Sequence, residues 1–321
     1  MTPADLASYV ARRLLAAVLL LLVLSLGVFL LLYLAPGSPE QVLLGTRGAD
    51  PATIHAIRTQ HHLDDPFFAQ YLHWLGGAVQ LDFGTSIRSG EAVRTMIVER
   101  FAVTLELGLL SFALALAVGL ALGIAGAVRS GGALDSGAVG LAVFGVSAPA
   151  FVTGIALLYL FAVLVPWFPA FGAGEGFADR LYHLVLPAIA LSLTGIALVV
   201  KLTRAALIET LQQDYVTFAR ARGVEGRAVL VRYALRNALV PIVTAAGIVL
   251  VAMLTGTVLV EVSFGLPGIG ALLVDSATTK DLPVVQALAL LFGVVIVLVN
   301  LATDVVYSWV DPRIRLGAAV R

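Results

Sequence analysis

The chain has 321 residues, 60% hydrophobic and only 12% charged, with a mean hydropathy of +1.00. Soluble domains carry about 25% charged residues, so a purely water-facing globule is excluded and the bilayer must act as part of the burying solvent. A net charge of zero argues against a nucleic-acid partner, which needs a basic excess; with no cysteine, disulfides, thiolate metal sites and a cysteine nucleophile are excluded together.

Residues 1–12 form a cytoplasmic N-terminal segment and 13–35 the first span. Residues 14–35 carry no charge and twelve leucines. A span needs about 20 apolar residues, and at roughly −0.4 kcal/mol per central Leu, Val or Phe this one inserts readily. A cleaved signal peptide has a shorter apolar region of about 7–15 residues before a small-residue cleavage site; here Pro36 follows and no such site is evident. Residues 36–100 are read as an extracytoplasmic region with two short helices. One runs from Pro51 to about His61, and the other, after Asp65-Pro66, covers Phe67–Val79 with aromatics at helical spacing. Four of the five histidines lie here (His55, His61, His62 and His73). No carboxylate–histidine spacing supports a metal site, so they are read as polar surface, and no metal, cofactor or catalytic residue is expected.

Residues 101–310 hold five more uncharged runs, at 107–128, 137–165, 184–200, 238–260 and 283–303. Each is apolar on all sides, which suits lipid or a helix bundle better than a one-faced soluble helix. The strand-like alternation of a membrane barrel is missing. The fold class is therefore all-α, a polytopic membrane bundle of about six transmembrane helices. With the N-terminus inside, thirteen of the twenty basic residues fall on the cytoplasmic side, including those of the tail 311–321 and seven in the 201–237 loop. Both termini are thus assigned to the cytoplasm.

Few ionisable residues enter the spans. Glu106 and Asp304 sit near span ends and are expected to pair at the interface rather than serve a pathway. No titratable group falls near a midplane, and no inverted repeat of broken helices is evident, which weakens a secondary transporter. His183 is the lone histidine near a span, which disfavours an intramembrane hydrolase. Gly119, Gly123, Gly140, Gly145, Gly154, Gly195, Gly247 and Gly256 are small residues suited to close helix packing. No glycine-rich phosphate loop with Lys-Ser/Thr occurs, so P-loop binding of ATP by this chain is not expected.

The 201–237 loop is the richest segment. Asp214 is placed to cap a helix beginning at Tyr215, Gly223 to stop it, and a second helix can group Val229, Leu230, Tyr233 and Ala234 on one face. Seven basic residues against three acidic ones could merely fix topology and touch anionic lipid. A helix, a glycine break and a second helix with an apolar face read instead as a docking element for a cytoplasmic partner.

Tyr215-Val-Thr-Phe-Ala-Arg-Ala-Arg-Gly223 followed by Ala234-Leu-Arg-Asn-Ala-Leu-Val-Pro241 resembles the cytoplasmic "EAA" loop of ABC importer permeases, especially the dipeptide/oligopeptide (and nickel) branch. Asp214 stands where that family usually has Glu. Three further stretches agree with the branch: Tyr9-Val-Ala-Arg-Arg-Leu14; Leu63-Asp-Asp-Pro-Phe with Gln70-Tyr-Leu-His-Trp and Asp82-Phe-Gly-Thr-Ser; and Glu261 to Gly270 with Asp304 to Arg315. The resemblance runs in order over nearly the whole chain. It implies the type I ABC importer transmembrane fold and a bacterial inner-membrane permease of peptides, with nickel or glutathione-like solutes as alternatives. The implied partners are a second homologous permease, two cytoplasmic ATPase subunits, an extracytoplasmic solute-binding protein and membrane lipid, with no nucleic acid. Carried onto this sequence, the ATPase-coupling residues are Asp214, Tyr215, Ala219, Arg220, Arg222, Gly223, Val224, Arg227, Arg232, Arg236, Asn237 and Pro241. Phe264, Gly265, Pro267, Gly268 and Gly270 follow the fifth span and are candidates for an outer gate, where glycine permits a tight turn.

Overall fold

A computed structural model describes residues 3–34, 51–60 and 63–310. The described residues are helical almost throughout, with one isolated bridge, Thr85 to Ala92. In hydrocarbon every backbone N–H and C=O must find a partner within the chain, and a helix supplies those partners locally. The helices are α1 (Pro3–Leu34), α2 (Pro51–Gln60), α3 (Phe67–Val79), α4 (Val93–Val128), α5 (Ala133–Ser147) and α6 (Ala150–Leu164). They continue with α7 (Gly176–Leu211), α8 (Asp214–Ala221), α9 (Gly226–Phe264), α10 (Ile269–Thr278) and α11 (Leu282–Val310). Five are long and apolar enough to cross a membrane, and the bent pair α5–α6 makes a sixth if it counts as one span. The two short helices expected in the 36–100 region are present as α2 and α3; His61 and His62 lie outside the described residues.

The expectation of one uninterrupted span over 137–165 is corrected. The chain breaks at Ala148-Pro149, and the two helices meet at 101°. Pro149 offers no N–H to the preceding turn and disfavours helical geometry at the residue before it; Ala148 is extended accordingly, at φ −100° and ψ 118°. Other helices outrun their apolar cores. α7 continues through Lys201 and Arg204 to Leu211, and α9 begins at Gly226, well before the apolar run 238–260. Charged residues spaced around an apolar stripe keep helical periodicity while ending the uncharged run.

The chain divides into two compact units. One comprises residues 2–104 and 267–298. In it, Phe29 of α1 is ringed by Tyr33 and, from α3, Phe67, Tyr71 and Trp74, at centroid distances of 5.5–5.7 Å. Gln286 of α11 donates to the Val28 carbonyl at 3.0 Å. A second core gathers Val93, Met96, Ile269, Leu272, Val284 and Leu288. Asp281, 3% exposed, accepts the Ser86 hydroxyl and the Ile87 N–H (3.1 Å), so it closes the 82–92 loop onto the turn between α10 and α11. Asp281→Leu should leave two donors without an acceptor, costing about 1–3 kcal/mol each when buried. We expect faster proteolysis within 82–92 in detergent, with no loss of membrane insertion.

The other unit comprises residues 105–266 and 299–321. Helix α7 is its centre: 67% of its most apolar stretch is buried, against 33% for α9. Glycines permit the close approach. A Cβ on Gly119 of α4 would lie 2.6 Å from Val199, and one on Gly195 would lie 2.9 Å from both Ala115 and Val249. Glu106 of α4 pairs with Arg180 of α7 at 3.1 Å, the pairing expected for that carboxylate.

Candidate coupling hairpin and outer turn

Helix α8 lies between the ends of α7 and α9. Its first residue is Asp214, preceded by Gln213 in extended geometry (φ −71°, ψ 149°), with no side-chain cap hydrogen bond. The expected capping role for Asp214 is therefore corrected by one position. Inside the first turn its carboxylate still faces the positive end of the helix dipole, which favours it by about 0.3–1 kcal/mol. The far end matches the expectation. Gly223 is left-handed at φ 77°, its N–H donates to Arg220 O (2.9 Å), and the Val224 N–H donates to Ala219 O (3.2 Å). This paired 5→2 and 6→1 bonding is the Schellman stop, and its usual hydrophobic contact is present, since Val224 packs against Val216, Ala219 and Val229.

That small core fixes α8 to the first turns of α9. Leu211 at the end of α7 packs against it and also against the bundle core of Ala127, Ala206, Leu207, Ala234, Ala238 and Ile242. At the other edge, Asn237 Nδ2 donates to the Tyr215 hydroxyl (3.1 Å) and to the Tyr233 carbonyl (2.7 Å). The inner face is thus apolar and closed. The outer face is different: Asp214, Arg220, Arg222, Arg227, Arg232 and Arg236 are exposed, as are Tyr215 (39%) and Phe218 (67%). Residues three apart share a helix face, so Tyr215 and Phe218 place two aromatics side by side beside the arginines. Phe218 and Val216 carry no number in the sequence-derived site. A large aromatic between charges was the available signal for the first, and only packing reveals the second.

Within α9, Val229–Leu235 is wound with wide i→i+5 turns. Such segments are frequent at functional sites and are one cause of helix kinks. Pro241, one turn past Asn237, sits inside the same helix and has no N–H to give the Asn237 carbonyl. The expected second helix of the hairpin is therefore no separate element. It is the first part of a membrane-spanning helix.

At the opposite end of α9, Gly265 is left-handed (φ 59°), and the Leu266 N–H donates to Glu261 O at 2.9 Å, again a glycine stop. Phe264 and Leu266 are each 2% exposed. A Cβ on Gly154 of α6 would come within 2.9 Å of the Phe264 ring, and the Phe264 carbonyl accepts the Gly172 N–H at 3.3 Å. Pro267 is exposed; Gly268, with φ −100°, precedes α10, whose Ile269 N–H donates to Thr104 Oγ1 at 2.9 Å, and Gly270 is buried within α10. Three buried carboxylates are not legible as buried in the sequence, Glu261 (0% exposed), Asp281 (3%) and Asp135 (4%). All lie just outside apolar runs, where sequence gives no measure of burial. Among the described residues no cluster of three or more His, Asp or Glu side chains could hold a metal ion.

Residues 117–316 match the family described as "Binding-protein-dependent transport system inner membrane component", and residues 6–108 match its N-terminal companion. The chain belongs to this family. Among curated relatives, the glutathione transport system permease protein GsiC of Escherichia coli K12 is 39% identical over 96% of this chain and 99% of its own length. A putative peptide permease of Brucella suis is also 39% identical, and a probable peptide ABC transporter permease of Sinorhizobium fredii 36%, both over 96% of this chain. Among solved structures, the inward-facing MetNI methionine ABC transporter shares the fold, with a TM-score of 0.53 at 18% identity, over 67% of this chain and 96% of that one. As a member of the binding-protein-dependent family, the chain is a multi-pass inner-membrane permease with the ABC importer transmembrane fold.

Proposed function

We propose that this permease forms half of the translocation path of a peptide importer driven by ATPases on separate chains. The face of α8 and early α9 that carries Tyr215, Phe218, Arg220, Arg222 and Arg227 is where an ATPase grips it. The observation that carries this reading is the contrast between the hairpin's two faces. The inner face is packed on an apolar core shared by α8, early α9 and the end of α7, so a push on the outer face moves helices rather than a loose loop. An exposed aromatic pair on a hairpin that also exposes several arginines suits a protein groove, since Tyr, Phe and Arg are enriched in interface cores. The excess of Lys and Arg in 201–237 supports a cytoplasmic hairpin and cytoplasmic termini. A second permease of similar sequence and an extracytoplasmic binding protein complete the assembly, and the turn from Phe264 to Gly270 contributes to the outer gate. The substrate class follows the relatives: two are named as peptide permeases, and glutathione is itself a tripeptide.

The test is reconstitution of the co-expressed complex in proteoliposomes, with labelled dialanine and labelled glutathione as probes. Uptake that requires ATP, both ATPase subunits and the binding protein is expected. Uptake by this permease alone on an ion gradient would point to a secondary transporter and overturn the proposal.

A further inference from the structure

The turn between α4 and α5 carries a half-buried ion pair that belongs to neither the hairpin nor the outer turn. Asp135, in the first turn of α5, receives both Nε and Nη2 of Arg204 from α7, the second at 2.8 Å. The same carboxylate accepts the Gly131 N–H at 2.8 Å, which closes a turn whose Gly131 is left-handed at φ 81°. Helix α4 presses on the pair as well: a Cβ on Gly126 would lie 3.3 Å from Asp135 Oδ1. Asp135 is 4% exposed.

Stability is a poor reason to keep such a pair. With the Asp135 carboxylate buried and Arg204 part-exposed, the cost of desolvating the carboxylate offsets much of the attraction, so such a pair is often no better than well-packed apolar residues of like volume, although removing one partner alone is costly. What a forked guanidinium–carboxylate contact supplies is direction, since two parallel bonds fix position and orientation together. Its location gives that direction a use. Less than two turns beyond Arg204, Leu207 is fully buried against α4 and α9, and Leu211 touches the α8 hairpin core. The end of α7 is thus tied to the hairpin by apolar packing and to α5 by the ion pair. α5 also packs on α7 along its length, most closely at Gly145, at the end beside the 101° break.

We propose that Asp135 and Arg204 are positioning residues of the transport cycle: a latch that locks α5 to α7, so that displacement of the coupling hairpin is passed to the broken span α5–α6. The proposal rests on the ATP-driven reading above. Its physical content is that coupling runs through a specific two-pronged contact, while the fold needs only that the space be filled.

The test uses the reconstituted complex and reads labelled peptide taken up per ATP hydrolysed, beside the amount of assembled complex. Asp135→Leu/Arg204→Met fills the space without charge. It should assemble and hydrolyse ATP, while uptake per ATP falls by about two- to thirtyfold, the usual reach of residues that modulate coupling without touching ligand. The exchanged pair Asp135→Arg/Arg204→Asp should recover part of that loss. Arg204→Lys keeps the charge but loses the fork, and it should lower the ratio with assembly intact. A wild-type ratio in the apolar double variant overturns the latch. Should that variant fail to assemble, Arg204→Lys decides: a reduced ratio supports the latch and an unchanged one overturns it. Failure of the wild-type complex to couple uptake to ATP would strike the importer reading itself, which the variants then do not address.

Discussion

Gly223→Pro abolishes ATP-driven uptake while leaving the amount of permease in the membrane unchanged; Gly223→Asn keeps most of the activity, and Gly223→Ala falls between. The order follows from one backbone angle. At φ 77° an L side chain costs roughly 1–2 kcal/mol, and Asn tolerates the region better than Ala. Proline is fixed near −65° and cannot adopt it at all. It also removes the Gly223 N–H that donates to the Arg220 carbonyl, so the stop to α8 is lost and Val224 is drawn out of its contact with Val216 and Ala219. A Cβ at this position meets nothing within 4 Å, so steric crowding does not confound the series. At about 1.4 kcal/mol per tenfold change, a loss of about fivefold to thirtyfold is expected for Ala and a larger one for Pro. Membrane abundance, read by immunoblot, should hold because no apolar run is altered. Equal uptake across the series would mean that the hairpin's shape is irrelevant to transport.

The positions of the spans were legible because insertion depends on summed apolar content, a property of composition over about 20 residues. The glycine stop of α8 was legible for a similar reason, since one residue type satisfies one backbone geometry. What escaped depends on three-dimensional company. Pro149 lies in a long uncharged run, where membrane helices commonly tolerate proline because neighbours re-satisfy the freed backbone; nothing in the run announces a 101° bend. Asp214 was assigned to the cap because carboxylates favour both the cap and the first turn, and the two assignments differ by one residue. From sequence the second half of the hairpin reads as a separate helix, because Arg227, Arg232 and Arg236 interrupt the apolar run. The helix itself continues from Gly226 to Phe264, since those arginines face outward while Val229, Ala234 and Ala238 face in. Asp135 and Arg204 lie 69 positions apart in sequence, and no local pattern pairs them.

Gly145→Leu is expected to prevent recovery of a monodisperse complex in detergent, whereas Gly140→Leu, five residues earlier on the same helix, is expected to be neutral in the isolated permease. Both are glycines of α5, and a residue count along the span does not separate them. Their surroundings do. A Cβ on Gly145 would stand 2.6 Å from the Leu193 carbonyl oxygen of α7 and 3.2 Å from Ala197 Cβ, while one on Gly140 meets nothing within 4 Å. The Gly145 carbonyl also accepts the Thr194 hydroxyl at 3.1 Å, so the glycine admits a hydrogen bond as well as a close backbone approach. Overpacking a tight contact costs about 1–3 kcal/mol, more where the obstacle is backbone that cannot rotate away. Gly145→Ala should therefore already be harmful, and more so than Thr194→Val, which removes an interhelical bond worth about 0.6 kcal/mol. Thermal unfolding followed by size-exclusion chromatography gives the ranking directly. If Gly145→Leu proved as stable as Gly140→Leu, α5 would not be seated on α7 at this point.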